Sequence, residues 1–222
     1  MTNFLPLVEK FHSLQGEGFH AGKSAFFIRL AGCEVGCSWC DTKNSWNEKK
    51  YPSISIQNIV NEIKIARDQG ASFCVITGGE PLHHNLDNFC KTIKKETSGR
   101  EKKSIKIHIE TSGVNSISGS YDWITLSPKR HSPPRKYFLE NCDEIKIIIN
   151  DKKDIDFATA IRQEIIENYR NSKIKNYLKA NKKYYLQPAW ENDDGLSLAI
   201  NFVKKNPEWN LSLQTHKYLK IK

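Results

Sequence analysis

The sequence predicts an α/β fold with a mostly parallel sheet, and three observations support this prediction. Short β-rich runs alternate with stretches whose apolar residues recur at helical spacing. Each apolar run ends in a short polar loop, as strands of a parallel sheet commonly do. The chain has 222 residues, of which 38% are hydrophobic, so it can bury a sizeable core, and we expect one domain over residues 1–222.

The individual elements follow from the same patterns. Predicted strands occupy residues 25–30, 73–77, 105–110, 123–126, 144–149 and 184–186. Apolar spacing predicts helices whose inward faces run over residues 56–66, 86–93, 155–169 and 196–203. We expect Gly70 to end the first of these helices, and we expect a helical insertion or extension at about residues 151–183.

The polar loops predict a functional site at one edge of the sheet, beyond the carboxyl ends of its strands. In parallel α/β folds the loops beyond the carboxyl ends of the strands carry the site, so these loops should converge. One of them, Gly78-Gly79-Glu80-Pro81, directly follows a predicted strand. Glycines let the backbone approach a ligand closely, although a plain tight turn is the alternative reading of this loop.

The loop that follows the first predicted strand carries three clustered cysteines. Cys33, Cys37 and Cys40 stand at the spacing C-x3-C-x2-C within the cysteine loop, residues 33–42. No fourth sulfur is nearby, which favours an iron–sulfur cluster with one iron open to a small molecule. A zinc site is the alternative, because a single histidine could complete a tetrahedron. Candidates for that histidine are His12, His20 and His83.

Three further cysteines are isolated in apolar patterns. We predict that Cys74, Cys90 and Cys142 are buried thiols that pack as small hydrophobic side chains. The clustered cysteines favour a reducing compartment, because thiols that bind a metal must stay free of disulfides.

Charge and hydropathy limit the partners of the protein. The net charge is +9, with 34 Lys and Arg against 25 Asp and Glu, but the lysines are dispersed over surface-like segments, so we expect no nucleic-acid partner. No stretch approaches the roughly 20 apolar residues that span a bilayer. Residues 1–10 lack the apolar run of a signal peptide, so we expect no membrane partner and a cytoplasmic location.

A resemblance emerges from the order of these motifs. A three-cysteine loop followed by a strand and Gly-Gly-Glu-Pro is the layout of radical S-adenosylmethionine (SAM) enzymes. Among them the chain resembles the 7-carboxy-7-deazaguanine synthases over nearly its whole length. The matching segments are residues 13–18, 27–33, 37–42, 77–81, 110–113, 127–129, 186–188 and 213–217. The resemblance implies an incomplete, TIM-like (β/α) barrel and a homodimer.

The resemblance also implies three cofactors and a set of contacts. Cys33, Cys37 and Cys40 would hold a [4Fe-4S] cluster, and Thr42 would bind Mg²⁺. The implied SAM contacts are Trp39, Asp41, Gly79, Ser127, Pro128, Lys129, Gln187, Pro188, Ala189 and Trp190. The implied substrate contacts are Leu14, Gln15, Gly16, Glu17, Arg29, Thr77 and His216. A flavodoxin would be the electron donor.

The implied activity is that of a lyase on the route to queuosine and other 7-deazapurines. It converts 6-carboxy-5,6,7,8-tetrahydropterin, a small-molecule pterin, to 7-carboxy-7-deazaguanine with loss of ammonia. A 5′-deoxyadenosyl radical removes the hydrogen at C6, and Mg²⁺ assists the ring contraction. Two rival functions stay open at this point: an activase of a glycyl-radical enzyme, and a non-catalytic zinc protein that binds nucleic acid.

Individual residues also have structural alternatives. Arg29 within a strand could form an ion pair that only stabilises the fold. Thr42 could cap a turn, and His216 could be a surface residue.

Overall fold

The computed structural model describes residues 3–99, 104–171 and 181–222, and it confirms the α/β prediction. The strands are β1 Phe4–Leu14, β2 Ser24–Leu30, β3 Ser53–Ser55, β4 Phe73–Gly78, β5 Lys106–Thr111, β6 Trp123–Leu126, β7 Glu144–Ile149, β8 Lys183–Pro188 and β9 Trp209–Leu211. The α-helices are α1 Ile56–Asp68, α2 Asp87–Thr97, α3 Lys136–Asn141, α4 Lys152–Asn171, α5 Asp193–Val203 and α6 Thr215–Leu219.

These strands form one sheet in the order β3-β1-β2-β4-β5-β6-β7-β8-β9. From β2 to β9 all neighbours are parallel, whereas β1 pairs antiparallel with both β2 and β3. The result is an incomplete (β/α) barrel with two antiparallel strands added at one edge. None of the helices in the described residues is both long and apolar enough to cross a lipid bilayer.

Alternation along the strands separates the core from the site. Successive side chains of a strand point to opposite faces. On β4, β5 and β7 the outward residues Ile76, Ile109 and Ile147 are buried in the main apolar core. Several of the residues next to them on the opposite face are polar, among them Thr77, Glu110 and Lys146, and these line the interior of the barrel. The helices therefore stabilise the outer face, and the inner face is free for chemistry.

The first helix lies where the apolar periodicity of residues 56–66 predicts it. Helix α1 begins after Ser55, whose hydroxyl accepts a hydrogen bond from the Asn58 amide at 3.2 Å. It ends at Asp68, and Gly70 follows with a φ of 102°, a conformation that glycine adopts without strain. The prediction that Gly70 ends this helix is confirmed.

Other boundaries differ from the sequence prediction. The predicted strand at residues 25–30 is present, but it is β2, the second strand of the chain. The strand before it, β1, was not predicted; it lies between β2 and the edge strand β3, and its buried positions are limited to Leu5 and Leu7. Its partly exposed centre carries Glu9 and Lys10, so it lacks a clean apolar alternation. Helix α4 ends at Asn171, and residues 172–180 of the predicted 151–183 segment lie outside the described residues. The short helices α3 and α6 were not predicted.

A short helical turn closes the amino-terminal end of the barrel. It spans Gly18–His20, and the Phe19 amide donates to Glu144 Oε2 at 3.2 Å. The Phe19 ring stacks on Trp123 at a centroid distance of 5.2 Å. Glu144 and Trp123 are the first residues of β7 and β6, so this turn covers the amino ends of the strands. The carboxyl ends on the opposite side carry the candidate site.

Candidate active site

The cysteine loop leaves the carboxyl end of β2 and is clamped at its start. The Gly32 amide donates to Ser45 O at 2.8 Å, and the Cys33 amide donates to Trp46 O at 3.2 Å. From the other side, the Glu80 amide donates to Gly32 O at 2.9 Å. The first cysteine is therefore fixed between the helical turn that follows the loop and the Gly-Gly-Glu-Pro loop.

The two glycines after β4 are required for this close packing. A Cβ on Gly78 would lie 2.1 Å from Leu30 O, and one on Gly79 would lie 2.6 Å from Gly32 O and 2.8 Å from the Cys33 Cβ. Real Cβ atoms do not tolerate such distances from backbone atoms. The glycines thus bring the end of β4 against the cysteine loop, which a plain turn would not require.

The loops after β4 and β5 are joined through one buried carboxylate. Glu80 is 2% exposed, and its carboxylate accepts hydrogen bonds from Thr111 Oγ1 at 2.5 Å and from the Ser112 amide at 2.8 Å. The predicted convergence of polar loops at the carboxyl ends is visible in these contacts.

The three clustered thiols lie in a mixed apolar and cationic environment. Cys37 is buried, Cys33 and Cys40 are partly exposed, and all of the cysteines are free. Burial raises the pKa of the Cys33 and Cys37 thiols, while the nearby Lys129 ammonium opposes this rise at Cys37. Desolvation in turn lowers the pKa of Lys129, whose Nζ donates to Ser127 Oγ at 2.7 Å.

This environment fits an anionic iron–sulfur cluster. Cysteine ligates iron as the thiolate, and a neighbouring cation stabilises that form. Across residues 3–99, 104–171 and 181–222, no group of three or more His, Cys, Asp and Glu side chains is arranged to hold a single metal ion.

The isolated cysteines behave as predicted. Cys74, Cys90 and Cys142 are at most 1% exposed and belong to the main apolar core. Burial raises the pKa of the Cys74 thiol and raises that of Cys90 to about 11. These thiols are therefore packing residues that stay protonated.

A single large cavity connects the cysteines with the inner face of the barrel. Its volume is about 920 Å³, near the upper end of the range for ligand pockets, and this is enough for two small ligands. All of the predicted site residues line it except Pro128 and Pro188. Those that line it are Leu14, Gln15, Gly16, Glu17, Arg29, Cys33, Cys37, Trp39, Cys40, Asp41, Thr42, Thr77, Gly79, Ser127, Lys129, Gln187, Ala189, Trp190 and His216.

The end of the cavity away from the cysteines contains a network around Glu110. Gln15 Nε2 donates to Glu110 Oε1 at 3.0 Å, and Thr77 Oγ1 donates to Glu110 Oε2 at 3.1 Å. Gln15 Oε1 also accepts a hydrogen bond from the Glu17 amide at 3.2 Å. Side chains from β4, β5 and the segment after β1 therefore hold one another in place.

A second network is centred on an ion pair between Glu17 and Lys146. Gln214 Nε2 also donates to Glu17 Oε1 at 3.0 Å. Burial alone would raise the pKa of Glu17, but Lys146 and the hydrogen bonds outweigh it and lower the pKa to about 2. Glu17, Glu110 and Glu144 raise the pKa of Lys146 despite its burial. Both partners of the pair are thus charged at neutral pH.

The contacts of Arg29, His216 and Thr42 can be compared with the structural alternatives given above, and Arg29 does form the ion pair that its alternative predicts. Arg29 forms an ion pair with Glu9 at 3.0 Å and lines the cavity as well. His216 is half-buried against Gly16, where an added Cβ would lie 2.2 Å from its Nδ1. Thr42 precedes a short helical turn, but its hydroxyl makes no capping hydrogen bond and lies 3.5 Å from Cys40 Sγ.

Sequence reasoning missed Glu110, Lys146 and Gln214 as site residues. Lys146 is a charged residue followed by three isoleucines in β7, and Glu110 is a charged residue of β5 that also lines the cavity. A charged residue on the inward register of a buried strand is a signal that the sequence alone contains. Gln214 carries no such signal, because its partner Glu17 is distant in the chain.

Comparisons with known proteins agree with this geometry. Residues 27–127 match the Radical SAM superfamily. A 7-carboxy-7-deazaguanine synthase from Prochlorococcus marinus is 50% identical over 224 residues, covering 100% of both chains. One from Synechocystis is 38% identical, covering 100% of this chain and 96% of the relative. The crystal structure of QueE from Escherichia coli matches with a TM-score of 0.72 and 28% identity, covering 95% of this chain and 93% of that one.

These similarities confirm the resemblance seen in the motifs. The two synthases match over the whole chain, and neither of them is named as a glycyl-radical activase or a zinc protein. The chain therefore belongs to the 7-carboxy-7-deazaguanine synthase family of enzymes within the radical SAM superfamily.

Proposed function

We propose that this protein converts 6-carboxy-5,6,7,8-tetrahydropterin to 7-carboxy-7-deazaguanine with loss of ammonia. The observation that carries the proposal is one large cavity whose lining includes both the three free thiols and a network of charged, hydrogen-bonding side chains. A cofactor and a substrate that must react with each other need such a shared space.

In this proposal Cys33, Cys37 and Cys40 hold a [4Fe-4S] cluster beside Lys129. When bound, the cluster and SAM supply a 5′-deoxyadenosyl radical that takes the hydrogen atom at C6 of the pterin. The residues proposed to hold SAM are Trp39, Asp41, Gly79, Ser127, Lys129, Gln187, Ala189 and Trp190, which line the cavity. Pro128 and Pro188 lie outside its lining and would act by fixing the backbone of their neighbours.

The other end of the cavity would orient the pterin. A pterin presents ring N–H and amino donors, which the ionised Glu17 can accept. Gln15 and Thr77 hold Glu110 in a fixed orientation, so its carboxylate keeps its place as the substrate enters. Arg29 has five N–H donors, and Glu9 engages its Nε, so the guanidinium can also pair with the substrate carboxylate.

A magnesium ion would complete the site. Mg²⁺ takes oxygen ligands and keeps several of them as water or substrate, so one protein hydroxyl is a suitable anchor. Thr42 lines the cavity beside Cys40, and its hydroxyl is not used for capping. In this role Thr42 would place the ion where it orients the substrate carboxylate during the ring contraction. Homodimerisation, a flavodoxin donor and a cytoplasmic location stay predictions that rest on the family resemblance.

Anaerobic reconstitution tests the proposal. We expect protein loaded with iron and sulfide to bind about four irons per chain, as a cubane requires. With SAM, Mg²⁺ and a strong reductant, it should convert the pterin to 7-carboxy-7-deazaguanine, which mass spectrometry detects. Cys37→Ala should lose iron and product, whereas Cys74→Ala, which removes a buried core thiol, should keep both. Iron-loaded protein that cleaves SAM but leaves the pterin intact would contradict the proposed substrate.

A further inference from the structure

The side chain of Lys217, on helix α6, connects three parts of the molecule. Its Nζ donates to Asp41 Oδ2 at 2.8 Å and to Gln214 Oε1 at 3.3 Å. The same ammonium lies 5.0 Å from the ring centroid of Trp190, within the range of a cation–π interaction. Asp41 directly follows Cys40, and Trp190 lies in the loop after β8. One side chain thus contacts both loops that are proposed to hold SAM.

Helix α6 depends on such contacts for its position. It has only five residues, and helices this short are not stable alone in water. At its start the Thr215 amide and hydroxyl donate to Gly16 O at 3.0 and 2.9 Å. In its last turn the Tyr218 ring packs edge-on against Trp190 at 5.2 Å. Helix α6 therefore contacts two parts of the cavity lining, one at Gly16 and the other at Trp190.

These contacts continue to the interior of the barrel. Gln214, which accepts from Lys217, donates to Glu17, and Glu17 is paired with Lys146 on β7. An unbroken series of polar contacts thus runs from the cysteine loop, through the C-terminal segment, to the residues proposed to hold the pterin.

We propose that Lys217 is a positioning residue that fixes the cysteine loop and the loop after β8 relative to each other and so shapes the SAM end of the cavity. The functional part of this inference rests on the proposed function, since that proposal places SAM beside Asp41 and Trp190. The geometric part does not, because it follows from the contacts of Lys217 with other residues of the chain.

A purely stabilising role would predict a different result. The side chain of Asp41 is 54% exposed, and ion pairs of this kind contribute little to folding stability. Removing the ammonium should therefore leave the unfolding midpoint nearly unchanged. It should instead loosen two loops that Lys217 contacts at the same time.

Hydrogen exchange in the protein without cluster tests the geometry. Lys217→Met removes the charge and keeps the length of the side chain, whereas Lys217→Arg keeps the charge. Lys220→Met is the matched control, because Lys220 is an exposed lysine three residues away. We expect faster exchange in peptides covering residues 38–44 and 189–193 for Lys217→Met only. These peptides contain no substitution, so a change in them reports the positions of the loops.

Equilibrium dialysis of SAM with the iron-loaded protein tests the consequence. We expect Lys217→Met to raise the dissociation constant of SAM roughly 5- to 30-fold, because a charge-assisted hydrogen bond and a cation–π contact are lost. Lys217→Arg should stay within about threefold of the unmodified protein, and Lys220→Met should match it. The iron content should not change in any variant.

Two results separate this inference from the proposed function. Unchanged exchange in both loops, together with an unchanged dissociation constant, would overturn the role of Lys217. If the unmodified protein fails to bind SAM, the proposed function fails, while the exchange experiment still decides whether Lys217 fixes the loops.

Discussion

At the scale of residues, the absence of a Cβ atom on Gly79 allows the loop after β4 to pack against the cysteine loop. Gly79 is closer to the Gly32 carbonyl and to Cys33 than any side chain would permit. The backbone of Gly79 does not adopt a positive φ, so its own conformation does not require glycine. Glycine is required here because the neighbouring cysteine loop lies so close. The loop after β4 and the cysteine loop therefore pack so closely that neither can move without displacing the other.

We expect Gly79→Ala to displace the cysteine loop while the fold is retained. The added methyl group would meet backbone atoms, which cannot rotate away, so the loop must shift. Iron bound after anaerobic reconstitution should fall by more than half. Gly99→Ala is the control, because a Cβ there has no atom within 4 Å. Equal iron content in the two variants would contradict this role of Gly79.

The Glu17–Lys146 ion pair gives a second prediction at this scale. Lys146→Met should lower the free energy of unfolding by about 3–5 kcal/mol, because it leaves a buried carboxylate without its partner. Adding Glu17→Gln removes that charge, so the double variant should recover most of the loss. Urea unfolding of the protein without cluster measures both. A double variant no more stable than Lys146→Met would show that the pair is not the cause.

At the scale of elements, helix α5 approaches the end of β7 unusually closely. A Cβ on Gly195 would lie 2.3 Å from Ile149 O, and the same carbonyl accepts a hydrogen bond from the Ala189 amide at 3.0 Å. The position of α5 and the course of the loop that carries Trp190 therefore depend on one carbonyl group.

The variant Gly195→Ala tests this packing, because helix propensity and the close contact predict opposite changes in the free energy of unfolding. Alanine favours a helix over glycine by about 1 kcal/mol, so propensity alone predicts stabilisation. We expect the clash with Ile149 O to win and the free energy of unfolding to fall by roughly 1–3 kcal/mol. Ser197→Ala, at an exposed position of the same helix, should change it by less than about 0.5 kcal/mol. A stabilised Gly195→Ala would refute the close approach.

Elements also show what the sequence could and could not predict. Helix α1 was predicted because its five buried apolar residues repeat at helical spacing and Gly70 marks its end. Strand β1 was missed because only two of its eleven positions are buried, so it lacks a regular apolar alternation. Convergence of the polar loops followed from parallel topology alone. The pairing of Lys146 with Glu17 did not, since the two residues are brought together only by the closing of the barrel.

At the scale of the molecule, the closed amino-terminal end contains a buried histidine, His108, and a half-buried one, His20. His108 is 5% exposed and stacks on Phe73 at 4.0 Å, and His20 lies 4.7 Å from it. Burial lowers the pKa of His108 to about 3 and that of His20 to about 4. Both histidines are therefore neutral in the folded protein over a range where the unfolded chain would protonate them.

This burial predicts a loss of stability in acid. Between the unfolded pKa of 6.5 and the folded value of about 3, only the unfolded chain protonates His108. The free energy of unfolding should therefore fall by up to about 1.4 kcal/mol for each pH unit below 6.5. Glu144 has the opposite dependence, because burial raises its pKa to about 7 and its stabilisation is lost as the pH rises from 4.5 through 7.

The variant His108→Phe separates the contribution of His108 to the pH dependence of stability from that of Glu144. His108→Phe keeps an aromatic ring against Phe73 and removes the titrating group, while Glu144 is unchanged. As the pH is lowered from 7 to 5, the unmodified protein should lose stability faster than His108→Phe in urea unfolding experiments. Parallel curves would show that His108 does not control the acid sensitivity.

The contact between Gln214 and Glu17 has a consequence for the order of events during synthesis. The three cysteines leave the ribosome well before Gln214, which follows Cys40 by roughly 170 residues. At about 5–20 residues per second, that interval lasts on the order of 10–30 s. During this time the nascent chain carries its three cysteines without the C-terminal segment that later contacts Glu17 and Asp41. The cysteines are therefore synthesised before the contacts between the C-terminal segment and the cysteine loop can form.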